Sequence, residues 1–200
     1  MRAFSFPLLL AAILAAALPA LPARAGDAVA ARLDAARAAH GRGDLARALV
    51  ELEAAVADLH TRLGAALAEC LPPAPPGWRA EAPETQSLAG AAGGGLSVSR
   101  AYVKDESSMN ATLLLDSPAV AGTAQMLASP TPPANTRRVR VGAEDALLRW
   151  DPATHAGEVT MVLGNRALLQ IEGDALVSGD ILAETARGWN LGAIRKLSGL

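Results

Sequence analysis

The chain of 200 residues has few of the side chains on which most catalytic and metal-binding sites depend. It contains one cysteine, three histidines and only 3% aromatic residues. A single cysteine excludes both an intramolecular disulfide and a zinc site built from several thiolates. Eighteen basic residues against twenty acidic ones give a net charge of −2, whereas a nucleic-acid-binding domain needs clustered positive charge to displace phosphate counterions. We therefore expect no nucleic-acid partner.

The short motifs that resemble catalytic signatures are incomplete. The segment 95–99, Gly-Leu-Ser-Val-Ser, lacks the second glycine of a serine-hydrolase turn, and the glycines at 93–95 precede neither a Lys-Ser/Thr pair nor a helix. Asp151, His155 and Glu158 are metal-ligand types, but they flank a predicted hairpin turn in which Asp-Pro and Gly serve the backbone geometry. We therefore predict no catalytic residue, no cofactor and no metal site.

The N-terminus has the features of an export signal. Arg2 precedes an apolar run at 6–18, prolines follow at 19 and 22, and Ala23-Arg24-Ala25 has a small-x-small cleavage pattern. The run is shorter than the roughly 20 residues of a membrane span, so we predict a cleaved signal peptide over 1–25, with an uncleaved anchor as the alternative. The sole cysteine lies too far along for lipoprotein processing. Export predicts a periplasmic protein without a stable membrane anchor.

Removal of residues 1–25 makes the chain more acidic. Two arginines and no acidic residue leave with this segment, so sixteen basic residues face twenty acidic ones, a net charge of −4.

Residues 26–71 are predicted to form a helical hairpin. An alanine-rich helix over 27–40 ends at Gly41-Arg42-Gly43, and Asp44 is suited to cap a second helix. Apolar residues in that second helix are spaced alternately four and three apart, as in the a and d positions of a coiled coil. They are Leu45, Leu49, Leu52, Val56, Leu59, Leu63, Ala66 and Cys70.

The unequal helix lengths predict that the first helix covers only part of this stripe. At about 1.5 Å per residue the second helix is about 40 Å long and the first about 20 Å. We expect the first helix to cover the N-terminal half and leave Leu59, Leu63, Ala66 and Cys70 for another surface, with Leu59, Leu63 and Cys70 as the candidate partner contacts. Two candidates remain: the following domain, or a homodimer or periplasmic protein partner.

Cys70 has two interpretations of its own. In a parallel two-stranded coil it would face its equivalent and could form an intermolecular disulfide. Alternatively, it is a small buried residue at the helix end.

After a proline-rich linker at 72–77, residues 78–200 are predicted to form a mainly antiparallel sheet with two helices. The strands are expected at 78–81, 97–103, 110–115, 137–141, 146–150, 159–163 and 167–171. The helices are expected at 119–127, after Asp116-Ser117-Pro118, and from about 178 or 180 to 187. The glycine-rich segment 85–95 is predicted to be a loop. Strands joined mostly by turns indicate an α+β fold.

Arg137, Arg138 and Arg140 place three guanidinium groups close together in sequence. On a strand, Arg138 and Arg140 share one face, where they could contact an anion or an acidic partner. Cross-strand pairs with Glu144 or Glu158 are the alternative. A cleft between this strand and the 85–95 loop would suit a small-ligand-binding protein or a weak hydrolase.

Several segments together resemble a group of exported proteobacterial proteins. They are residues 71–78 (LPPAPPGW), 94–102 (GGLSVSRAY), 116–118 (DSP) and 162–166 (VLGNR). The resemblance implies an N-terminal hairpin, a C-terminal α+β domain and no catalytic residues to transfer. In element order alone the sheet domain is similar to PsbP-like proteins, which are mostly accessory or binding proteins. We therefore expect a periplasmic, non-enzymatic protein that acts in protein interaction.

Overall fold

The computed structural model describes residues 25–88, 94–129 and 134–200. The predicted signal peptide, except Ala25, and part of the predicted 85–95 loop lie outside these residues. The helices are α1 (Ala25–Gly41), α2 (Leu45–Ala68), α3 (Ala119–Ala128), α4 (Asp180–Ala186) and α5 (Leu191–Ser198). The strands are β1 (Arg79–Ala80), β2 (Glu84–Ser87), β3 (Leu96–Lys104), β4 (Ser107–Leu115), β5 (Thr136–Val141), β6 (Glu144–Asp151), β7 (Ala156–Leu163) and β8 (Ala167–Asp174).

The eight strands form one antiparallel sheet in the order β1-β3-β4-β8-β7-β6-β5, and β2 also pairs with β3. Tight turns join β3 to β4, β5 to β6, β6 to β7 and β7 to β8, as the alternation of apolar runs and turn residues predicts. The two helical excursions leave the sheet after β4 and after β8. The predicted α+β class with a helical hairpin is therefore confirmed.

The two faces of the sheet differ because successive side chains on a strand point to opposite sides. The inner face carries apolar side chains such as Val98, Leu113 and Leu169, all fully buried. Helices α4 and α5 and the C-terminal end of α2 cover it. The outer face is mostly polar. Only one end of it is covered, by α3, whose C-terminal carbonyls of Leu127 and Ser129 accept hydrogen bonds from outer-face Arg138.

Two predictions about the sheet domain were wrong in detail. Residues 84–87 form strand β2, where a loop was expected, because Glu-Thr-Gln-Ser has no apolar alternation and is held by pairing with β3. Helix α5 was missed. Asn190 caps it by accepting a hydrogen bond from the backbone N–H of Ala193, and a left-handed Gly199 ends it.

Helix α2 belongs to both parts of the molecule. Its C-terminal end contributes Leu67, Ala68 and Cys70 to the core of the sheet. The chain that follows is held as well, because the hydroxyl of Tyr102 donates a 2.6 Å hydrogen bond to the carbonyl of Pro72. The proline-rich segment is therefore fixed to the sheet at its start.

Within the described residues, the helices lack the combination of length and apolar character that crossing a membrane requires.

We expect Gly64→Ala to destabilise the contact between α2 and β2. An added Cβ would overlap the Thr85 side chain, so one of the two elements must shift. The expected net loss is about 1–2 kcal/mol of unfolding free energy, because overpacking exceeds the gain in helix propensity. Gly122→Ala in α3 is the matched control, since nothing lies within 4 Å of its Cβ. Urea unfolding that ranks the two variants equal would contradict this contact.

Candidate functional site

Helices α1 and α2 pack through small side chains. Ala36 and Ala39 of α1 are buried, as are Ala48 and Ala55 of α2. Alanine faces allow two helices to approach closely, because little side-chain volume separates the backbones. The face of α2 that contacts α1 is therefore an alanine face, not its leucine stripe.

A group of charges fixes the rotation of α2 against α1. Glu51 is 8% exposed, and a buried carboxylate is stable only with partners. Arg47 of the same helix contacts it at 2.5 Å, and Arg32 of α1 approaches it at 4.0 Å. Arg32 also donates a 2.8 Å hydrogen bond to Asp58. These contacts hold the Glu51 side of α2 toward α1.

The leucine residues consequently face outward in the N-terminal part of α2. Leu45 and Leu49 are 61% and 60% exposed, and the next three members of the stripe are exposed by at least 40%. We call these five residues the leucine seam: Leu45, Leu49, Leu52, Val56 and Leu59. The expectation that α1 covers the N-terminal half of the stripe was wrong, because α1 packs on alanines about a quarter-turn away.

The other end of the stripe is the covered one. Leu63 is half-buried, and Cys70 is only 3% exposed. The backbone N–H of Asn190, which precedes α5, donates a 3.2 Å hydrogen bond to the carbonyl of Cys70. Of the four residues expected to need another surface, Leu59 alone is exposed, and Ala66 is half-buried. The following domain covers Leu63 and Cys70.

Burial also decides between the two interpretations of Cys70. Its Sγ lies 3.7 Å from the carbonyl of Ala66. Burial raises the pKa of the thiol, with a smaller contribution from the Glu69 carboxylate. A thiol in this position is protonated near neutral pH and is not presented to a second molecule. It is the buried, apolar-like cysteine of the second interpretation.

The arginines of β5 do not form one site. Arg138 binds the carbonyls of Leu127 and Ser129, as described above. Arg140 pairs with Asp145 at 2.9 Å and also donates to the carbonyl of Ala143. Arg137, on the opposite face, pairs with Asp180 at the start of α4. Arg138 and Arg140 share one face of the sheet, as predicted. Each guanidinium, however, already binds acceptors next to it, and the two groups have no acceptor in common.

A groove of about 670 Å³ lies elsewhere, on the uncovered part of the outer face. Strands β3, β4, β8, β7 and β6 form its floor, and the segments 134–135 and 151–156 form its rim. The polar side chains that line it are Ser108, Asn110, Asn135, Arg149, Asp151, Thr154, Glu158, Glu172 and Asp174. Sequence reasoning missed this groove because its residues are far apart in the chain.

The groove has an excess of negative charge. It contains four carboxylates and one guanidinium, that of Arg149, which pairs with Glu158 at 3.0 Å. Gln170 donates hydrogen bonds to Glu158 and Glu172. The side chain of Asp174 forms no hydrogen bond or ion pair with the residues that the structure describes. Three carboxylates therefore lack a basic partner within the groove.

Asp151 and His155 serve the turn between β6 and β7, whereas Glu158 lies within β7 and pairs with Arg149. Asp151 accepts a 2.9 Å hydrogen bond from the backbone N–H of Ala153, and the ring of His155 lies 3.0 Å from the carbonyl of Leu176. His155 also has the positive φ of 56° that this turn requires. In the three described stretches, no group of three potential ligands is close enough to hold a metal ion.

Two of the segments that carry the resemblance meet at one end of the sheet. Arg166 forms a bidentate pair with Asp116, at 2.7 and 2.6 Å, and it also contacts the carbonyl of Ser198 in α5. The hydrogen bonds from Arg166 hold the pKa of Asp116 below its usual value. This pair joins β4, β8 and α5, which gives these segments a structural role.

No protein-family model, curated protein or solved structure matches this chain. The resemblances to exported proteobacterial proteins and to PsbP-like proteins therefore stay expectations drawn from the sequence.

We expect the Cys70 thiol to resist modification in the folded protein. At about pH 8, a burial-raised pKa leaves little thiolate, and the side chain is inaccessible to a reagent. Ellman's reagent should react with the native chain at least tenfold more slowly than with the chain in guanidinium. Fast native reaction, or a disulfide-linked dimer on a non-reducing gel, would show that the helix end opens.

Proposed function

We propose that this chain is an exported periplasmic protein that acts as an interaction module through the leucine seam. The single observation that carries this proposal is the exposure of five large apolar side chains in a heptad pattern. Soluble monomers rarely present contiguous apolar patches of this kind unless another molecule covers them. The cleavable-signal pattern of residues 1–25 supports the compartment.

The seam is placed on a projecting part of the molecule. The sheet touches α2 only toward its C-terminal end, where His60 lies 2.7 Å from Ser87 and Gly64 packs on Thr85. Residues 45–59 therefore extend roughly 20 Å along the hairpin toward its tip. Among the described residues, nothing covers the seam along this length.

A partner that covers the seam gains free energy from burial of its apolar side chains. Burial of a half-exposed leucine recovers on the order of 1 kcal/mol, so five such residues supply several kcal/mol before the cost of association. The absence of a complete catalytic signature in the sequence also favours interaction over chemistry.

Site-specific photo-cross-linking tests this role. With p-benzoyl-phenylalanine in place of Leu52, irradiation of cells that express the full-length chain should give a discrete cross-linked adduct. The matched control places the same group at Thr61, an exposed position about half a helical turn around α2. Adducts in equal yield from both positions, or from neither, would contradict the interaction role of the seam.

A second candidate function is the binding of a small cationic ligand in the outer-face groove. The observation that favours it is the groove's volume together with three carboxylates that have no basic partner there. The expected ligand class carries ammonium or guanidinium groups. This groove is not the cleft predicted between the 85–95 loop and Arg138 and Arg140, because β2 and β5 lie at opposite edges of the sheet.

Spermidine is a suitable probe for this groove. We expect it to raise Tm at low ionic strength, with the apparent affinity falling about tenfold in the double variant Glu172→Gln, Asp174→Asn. Glu184→Gln, on α4 at the other face of the sheet, is the control for loss of negative charge. An equal loss in the control, or no shift in the wild type, would contradict cation binding in the groove.

A further inference from the structure

We infer that the partner of the leucine seam is the same seam of a second copy, packed antiparallel to it in a four-helix dimer. This inference rests on the proposed interaction role of the seam.

The seam is complementary to itself. Its members are spaced four, three, four and three residues apart, the repeat that lets apolar knobs from one helix enter holes of another helix with the same repeat. In a two-fold symmetric dimer, the same patch of both subunits forms the interface, so this patch must be self-complementary. A heptad seam of leucine and valine meets this requirement without a separate receptor surface.

The exposed area fits a reversible dimer. The five seam residues are exposed by 40–61%. Together they present on the order of 450 Å², so two copies would bury roughly 900 Å² before flanking residues are added. That value is below the usual range for specific interfaces and suits a weak, transient one. We therefore expect dissociation at low concentration.

The position of the sheet selects the orientation. In each copy the sheet lies beside α2 from about His60 onward, as the contacts of Ser87 and Thr85 show. Parallel helices would bring both sheets to the same end of the bundle, next to one another. Antiparallel helices place the two sheets at opposite ends and leave the seams free to meet.

The antiparallel arrangement has one register that pairs apolar residues throughout. With the axis level with position 54, Leu52 faces Val56 of the second copy and Leu49 faces Leu59 of the second copy. Leu45 then lies level with Leu63 of the second copy, one side of which packs on the sheet core. In this register Leu49 and Val56 occupy a positions, and Leu45, Leu52 and Leu59 occupy d positions. Each a position therefore faces a d position, as antiparallel packing of a heptad requires.

Light scattering during size-exclusion chromatography tests self-association. Between about 1 and 100 µM we expect the mass of the mature chain to rise from one copy toward two, since this window brackets micromolar affinity. Leu52→Glu should remain monomeric throughout. Val177→Glu is the control, because Val177 is 95% exposed and outside the seam. Circular dichroism melts of both variants confirm that they fold.

Engineered cysteines test the orientation. Leu49→Cys and Leu59→Cys are prepared separately and oxidised alone and as an equimolar mixture, with the buried Cys70 left in place. The antiparallel register predicts disulfide dimers mainly in the mixture. Efficient dimers of each variant alone, with no gain on mixing, would overturn the antiparallel packing.

The photo-cross-link at position 52 separates this inference from the function on which it rests. An adduct of two copies supports both. An adduct of any other mass, with a wild-type chain that stays monomeric to about 100 µM, overturns the second copy as occupant and leaves the interaction role standing. No adduct at all overturns both.

Discussion

The alanine contact between α1 and α2, held by Glu51 between Arg32 and Arg47, sets what the molecule presents to its surroundings. Because the small residues pack inward and the buried carboxylate requires its arginines, the leucines are turned outward. A rotation of α2 that buried the leucines against α1 would move Glu51 and Asp58 away from Arg32 of α1 and separate the closely packed backbones. The exposed seam is therefore a consequence of the hairpin's own packing.

The same helix has two environments along its length. Toward the tip, α1 is the element that packs against it among the described residues, and toward the base it joins the sheet core through Leu67 and Ala68. The sheet in turn separates two surfaces: an inner face sealed by helices and an outer face with an acidic groove. Apolar recognition at the seam and polar recognition at the groove thus occupy different parts of the chain and can be tested separately.

Much of this architecture follows from sequence patterns. The hairpin, its Gly41–Gly43 turn, the Asp44 cap and seven of the eight strands were predictable, because apolar periodicity and turn residues report local structure directly. Strand β2 was not, since its pairing with β3 is non-local. The seam was identified but assigned to the wrong environment. Ala48 and Ala55 repeat with the same seven-residue period as the leucines. Because leucine is the more hydrophobic residue, the pattern alone favoured the leucine stripe as the face that contacts α1. Only the ion pairs of Glu51 reveal which stripe faces α1.

The continuity of α2 from the seam into the core affects how any bound molecule is held. No flexible tether lies between Leu52 and Gly64, which are separated by about 18 Å of uninterrupted helix. A molecule seated on the seam therefore takes a fixed distance and direction from the sheet. In an antiparallel pair, the continuous α2 helices would consequently fix the distance between the two acidic grooves.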